Sequence, residues 1–128
     1  KKPTREDCEK VLSILKKHDV RYFFYVGGND SAETAHILNE IAVAEGYDVR
    51  LFHVPKTIDN DLPLPPGVPT FGFETAREHG TTVVERLALD METTNRWFFV
   101  IMMGRTAGYL ALGAGKSGGA TVTGLRGG

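Results

Sequence analysis

"RYFFYVGGNDSAETAHILNEIAVAEGYDVRLFHV" (residues 21–54) decides the fold. Residues 21–26 form a short apolar, aromatic run that stops at Gly27-Gly28, the pattern of a strand buried on both faces. "SAETAHILNEIAVAEGY" follows as a helix, and Gly46 marks its end. "VRLFHV" (49–54) is the next strand. Strands that alternate with helices imply a parallel sheet.

The flanks extend the alternation. Upstream, "TREDCEKVLSILKKHD" predicts a helix capped by Thr4 with Asp7 three residues on. Cys8, Val11, Leu12 and Leu15 give it one buried stripe. Downstream, prolines at 55, 63, 65, 66 and 69 make residues 55–70 a loop. "FETAREHGTTVVERLALDMETT" then reads as a helix weakened at Gly80. "RWFFVIMM" (96–103) reads as a third strand, "AGYLALGAGKS" as a short helix and "GATVT" as a fourth strand. The fold class is α/β, a three-layer parallel sheet with helices on both faces, in a single segment over residues 1–128.

Bulk properties narrow the function. The chain has 128 residues, 41% of them apolar and 24% charged, which suits one globular domain. A net charge of −1 offers no basic surface for nucleic acid or anionic lipid. Its apolar runs fall short of a membrane span, and no signal peptide is evident. The first residue is not methionine, so the start is read as trimmed. The single cysteine, Cys8, cannot form an internal disulfide, and the expected location is the cytoplasm.

Polar clusters follow each of the three expected strands: "GGNDS", "PKTIDND" and "GRTAG". In parallel α/β sheets ligands bind beyond the carboxyl ends of the strands, so these clusters are candidates for one active-site rim. Gly27 and Gly28 let backbone approach a phosphate at a helix start, or simply make a tight turn with Asp30 or Ser31 as cap. Lys56, Thr57, Asp59 and Asp61 bring a cation, a hydroxyl and two carboxylates into six residues. Such a pair can divide work, one carboxylate taking a proton and the other holding a metal or tuning its neighbour. Arg105 either grips a phosphate or substrate hydroxyls, or makes a surface salt bridge. "LGAGKSGG" imitates a P-loop, but Leu110 stands where the pattern needs glycine. His18, His36, His53 and His79 lack metal-ligand spacing.

The ordered set "GGNDS", "PKTIDND" and "MGR" resembles the phosphofructokinase family. "YFFYVGGNDSAETAH", "HVPKTIDNDLPLPPGVPTFGFETAR" and "RWFFVIMMGRTAG" look like its pyrophosphate-dependent branch, and the similarity runs from residue 2 to about 123. The resemblance implies phosphoryl transfer from pyrophosphate to the 1-hydroxyl of fructose 6-phosphate. It makes Asp59 the base, Asp61 the carboxylate beside it, and Thr57 a sugar-binding residue. The resemblance also implies that Met103, Gly104 and Arg105 contact the sugar phosphate and that Arg96 reaches a neighbouring subunit's substrate in a homo-oligomer. Gly27, Gly28, Asn29, Asp30 and Ser31 line the phosphoryl-donor site, with Asn29 and Asp30 toward Mg²⁺.

ATP-using relatives have glycine where Asp30 and Lys56 stand. A carboxylate at Asp30 repels the inner phosphate of a nucleotide, and Lys56 supplies charge to a small pyrophosphate. Asn29 replaces an aspartate that holds magnesium in many relatives. The resemblance also implies a longer enzyme, with an opening strand and glycine loop and a second lobe outside this chain, and "TGLRGG" departs from the family's pattern. The alternatives are an ATP-dependent 6-phosphofructokinase, or a non-catalytic phosphate-binding or assembly subunit of the same fold.

Overall fold

The computed structural model describes residues 3–125. The last three residues of "TGLRGG" lie outside them. The elements are α1 (Arg5–Lys17), β1 (Tyr22–Gly27), α2 (Asn29–Ala44), β2 (Arg50–Pro55), α3 (Phe73–Thr94) and α4 (Tyr109–Ser117). They fall into two compact units, Lys1–Lys56 and Thr57–Gly128.

In the first unit, β1 and β2 pair in parallel, with Tyr22 opposite Arg50 and Gly27 opposite Pro55. A parallel pair needs a crossover, and α2 supplies it. α1 starts as its sequence demands. Thr4 and Asp7 form a reciprocal capping box, Asp7 N–H donating to Thr4 Oγ1 and Thr4 N–H donating to the Asp7 carboxylate. Cys8, Leu12 and Leu15 are buried with Leu38, Ile41, Ala42 and Val49 in one core. Val11 departs from the expected stripe and is 38% exposed, because the contact surface of α1 is narrower than its apolar face.

β1 is not buried on both faces. Along β1 and β2 the side chains alternate, as strand geometry requires. Phe23 and Leu51 pack toward the core, whereas Tyr22, Phe24, Val26, Phe52 and Val54 are exposed. Phe24 and Phe52 stack across the strands at 4.9 Å between ring centroids. Within this unit, α1 and α2 pack with the face that carries Phe23 and Leu51.

In the second unit, α3 takes up the whole of the expected stretch, and Asn95 ends it in the left-handed conformation. Gly80 is a packing residue, not a weak point. A Cβ there would sit 3.0 Å from Ala114 Cβ and 3.1 Å from Met102 Cε, so glycine lets α4 approach α3. Val84 and Ala114 are buried at this contact.

The third and fourth strands are not formed. Residues 96–103 and 119–123 carry no strand among the described residues, and the sheet has two strands. Trp97 is 86% exposed and Ile101 95% exposed. A strand is completed by the ladder of a neighbour, and an apolar run without one stays irregular. The α/β class with parallel strands stands. Among the described residues, no helix is long and apolar enough to cross a membrane.

Candidate active site

The first polar cluster is absorbed into a helix. Gly27 ends β1, and α2 begins directly at Asn29 with Gly28 as its cap. No side chain caps α2, so neither Asp30 nor Ser31 plays the capping role that the turn reading gave them. Asn29 and Asp30 are instead the opening residues of the helix, Asp30 exposed in its first turn, where the dipole favours a carboxylate. Gly27 is needed for close approach. A Cβ on it would lie 2.1 Å from Ser31 Oγ, so a side chain there would push the helix start off the strand end.

Lys56 joins this set through its backbone. Its N–H donates to the Gly27 carbonyl at 2.9 Å, which holds the residue after β2 against the end of β1. The Lys56 side chain is exposed. His53, which the sequence reading set aside, also reaches the Gly27 carbonyl through Nε2 at 2.9 Å. Gly27 thus anchors the helix start and the end of β2 together.

The second cluster stays outside regular structure, and side chains shape it. Asp59 N–H donates to Thr57 Oγ1 at 3.2 Å, a local turn of the Ser/Thr kind. Asn60 is left-handed, with φ 54°, a conformation that asparagine tolerates better than most residues. The reversal carries carboxylates on either side of it. Asp59 is 5% exposed, and its Oδ1 is buried without a hydrogen-bond partner. Buried polar atoms are usually paired, so an orphan carboxylate oxygen calls for an explanation.

The third cluster forms a turn after residue 103. Ala107 N–H donates to the Gly104 carbonyl, and Arg105 lies at φ 45°. A Cβ on Gly104 would meet the Ala107 carbonyl oxygen at 2.1 Å, so the turn admits only glycine there. Arg105 Nη2 stands 3.9 Å from Asp61 Oδ2. An open cavity of about 500 Å³ lies beside this pair, lined by Asn60, Asp61, Leu62 and Pro63 and by Thr106–Tyr109. Two of the three clusters therefore share one cavity wall.

Thr57, Asp59, Asp61, Gly104 and Arg105 thus gather in the second unit. Met103 is exposed, and Arg96 is an exposed residue just past the end of α3. Two residues of the loop escaped the sequence reading. Asn60 Oδ1 accepts from Thr70 N–H at 2.9 Å, and Thr70 Oγ1 donates to the Thr57 carbonyl at 2.6 Å. An asparagine between two aspartates was the available signal for the first. Nothing local marked Thr70.

The chain is similar to known proteins over nearly its whole length. The family model described as phosphofructokinase matches residues 1–126. The chain is 52% identical over 120 residues to the pyrophosphate–fructose 6-phosphate 1-phosphotransferase of Thermotoga maritima, covering 94% of this chain and 28% of the relative. It is 48% identical over 123 residues to the protein of the same name from Naegleria fowleri, again covering 94% of this chain and 28% of the relative. Among solved structures, the pyrophosphate-dependent phosphofructokinase of Marinobacter aquaeolei superposes with a TM-score of 0.74 at 32% identity, over 90% of this chain and 30% of that one. The corresponding enzyme of Nitrosospira multiformis gives 0.76 at 31% identity, over 89% of this chain and 29% of that one. The chain thus spans under a third of the length of these relatives, and over that span it belongs to the phosphofructokinase family.

Proposed function

We propose that these residues are a segment of an enzyme that transfers a phosphoryl group from pyrophosphate to the 1-hydroxyl of fructose 6-phosphate, giving fructose 1,6-bisphosphate. The observation that carries this reading is Asp59: a carboxylate 5% exposed, with Oδ1 unpaired, in a loop beyond the carboxyl end of β2. A buried carboxylate without a partner is costly for a scaffold and useful for a base. Relatives named pyrophosphate–fructose 6-phosphate 1-phosphotransferase support the reaction itself.

In the step, Asp59 takes the proton of the 1-hydroxyl while that oxygen bonds to the attacked phosphorus. The bond from that phosphorus to the bridging oxygen of pyrophosphate breaks, and inorganic phosphate leaves. Asp61 stands two residues on, and the Arg105 guanidinium near it offers a planar fork for the sugar's phosphate. Thr57, Met103 and Gly104 complete the sugar side, and Arg96 serves a neighbouring subunit in a homo-oligomer.

Gly27, Gly28, Asn29, Asp30, Ser31 and Lys56 form the donor side. Lys56 balances a free pyrophosphate, and Asp30 disfavours a nucleotide. Among the described residues, no group of three or more His, Cys, Asp or Glu side chains could hold a metal. Mg²⁺ does not need one, since one or two protein oxygens suffice when phosphates and water complete the shell. The Asn29 amide oxygen and the Asp30 carboxylate, both in the first turn of α2, would each supply such an oxygen. When bound, Mg²⁺ neutralises charge on the phosphoryl oxygens. The cytoplasm, where a buried free thiol such as Cys8 stays reduced, is the proposed location.

The test incubates the full-length protein with fructose 6-phosphate, Mg²⁺ and either pyrophosphate or ATP. Turnover with pyrophosphate is expected. Turnover with ATP alone would refute the roles given to Asp30 and Lys56, and turnover with neither would refute the enzyme.

A further inference from the structure

The Asp59 loop is tied on both sides to one residue that precedes α3. Thr70 is 2% exposed, and each of its polar groups is engaged. Its hydroxyl donates to the Thr57 carbonyl at 2.6 Å, two residues before Asp59. Its N–H donates to Asn60 Oδ1 at 2.9 Å, one residue after Asp59. Its carbonyl accepts from Phe73 N–H at 3.1 Å, in the first residue of α3. Phe73 is itself buried, and Gly72 turns the chain into the helix at φ 96°.

We propose that Thr70 and Asn60 form a latch that positions Asp59 for proton transfer by fixing its loop to the start of α3. Both are positioning residues, acting through the loop and not on substrate. The inference rests on the assignment of Asp59 as the base. The physical ground is that residues 57–61 lie in no helix or strand, so buried side-chain bonds contribute to holding them in place. Without the hydroxyl bond to the Thr57 carbonyl the loop is released on one side of Asp59, and without the Asn60 acceptor it is released on the other.

The experiment compares Thr70→Val, which keeps size and backbone but removes the hydroxyl, with Thr70→Ser, which restores it, in the full-length protein. In Thr70→Val, kcat should fall about 100-fold while the KM for pyrophosphate stays within about twofold, the pattern of a misplaced catalytic group. Thr70→Ser should recover most of that loss. Amide hydrogen exchange supplies a readout that needs no turnover: residues 57–61 should exchange about tenfold faster in Thr70→Val, with the interior of α3 unchanged. Should Thr70→Val fail to fold, Asn60→Gly, which keeps the left-handed backbone but removes the acceptor, takes its place with the same expected readouts. Normal kcat in Thr70→Val overturns the latch, as does equal loss in Thr70→Val and Thr70→Ser, or unchanged exchange of the loop. If the unaltered protein turns over no sugar phosphate, the functional reading fails, and the exchange measurement alone decides whether the latch exists.

Discussion

Two polar loops follow the two strands of this chain, and they are held by different means. The residues after β1 pass through Gly28 straight into α2, so backbone geometry sets the positions of Asn29 and Asp30. The residues after β2 enter no helix until Phe73, and Thr57, Asn60 and Thr70 side chains hold them. A helix start is built from repeating backbone bonds and tolerates changes of side chain. A latched loop depends on a few specific atoms. Polar side chains can be presented either way, but the two designs fail differently when altered.

The largest effect tests the loop. Asp59→Ser in the full-length protein should lower kcat by about 10²–10⁴-fold, the range for loss of a general base. Folded stability should not fall, because the change removes a buried carboxylate oxygen that lacks a partner. A variant with normal turnover would remove Asp59 from its role and end the contrast between the loops.

The next effect tests the helix start through its backbone. Gly27→Ala places a methyl 2.1 Å from Ser31 Oγ, and should cost about 1–3 kcal/mol in urea unfolding, as overpacked sites do. The double variant Gly27→Ala, Ser31→Gly should recover much of that. If Gly27→Ala is neutral alone, the helix start is not seated by close approach.

A smaller effect comes from α1, whose N-terminus, unlike that of α2, carries a side-chain cap. Thr4→Ala should destabilise by about 1 kcal/mol. An unchanged unfolding midpoint would mean the box frays in solution.

The smallest is a pH effect at the same cap. The Thr4 backbone N–H, then its hydroxyl, hold the Asp7 carboxyl below its ordinary value. A folded-state value below the unfolded one stabilises above the ordinary carboxylate range and loses that contribution as pH falls through the folded value. Acid should therefore fray α1 slightly in the unaltered protein, and Asp7→Asn should remove that dependence. A midpoint that responds to acid equally in both would locate the effect elsewhere.

Legibility in the sequence followed the range of the interactions involved. The α1 box spans four residues and α3 is one continuous pattern, so both were readable from neighbours in the chain. The strand positions of β1 and β2 were readable too, but not which face of each is covered. Residues 96–103 carry as strong an apolar pattern as residues 21–26, yet only the latter has a ladder partner among the described residues. Gly80 illustrates the same limit, because its value lies in Ala114 and Met102, neither of which its own helix reveals.

At the candidate site, residue types and spacing singled out the Lys56–Asp61 stretch, because chemistry resides in side-chain identity, and "GGNDS", "PKTIDND" and "MGR" together carried the resemblance to the family. Only the tertiary structure decided that Asp59 is buried with an oxygen unpaired, that Arg105 faces Asp61, and that Thr70 clasps the loop from ten residues away. The physical reason is that burial and long-range hydrogen bonds belong to groups brought together by folding, and a chain read in order holds no record of which distant groups will meet.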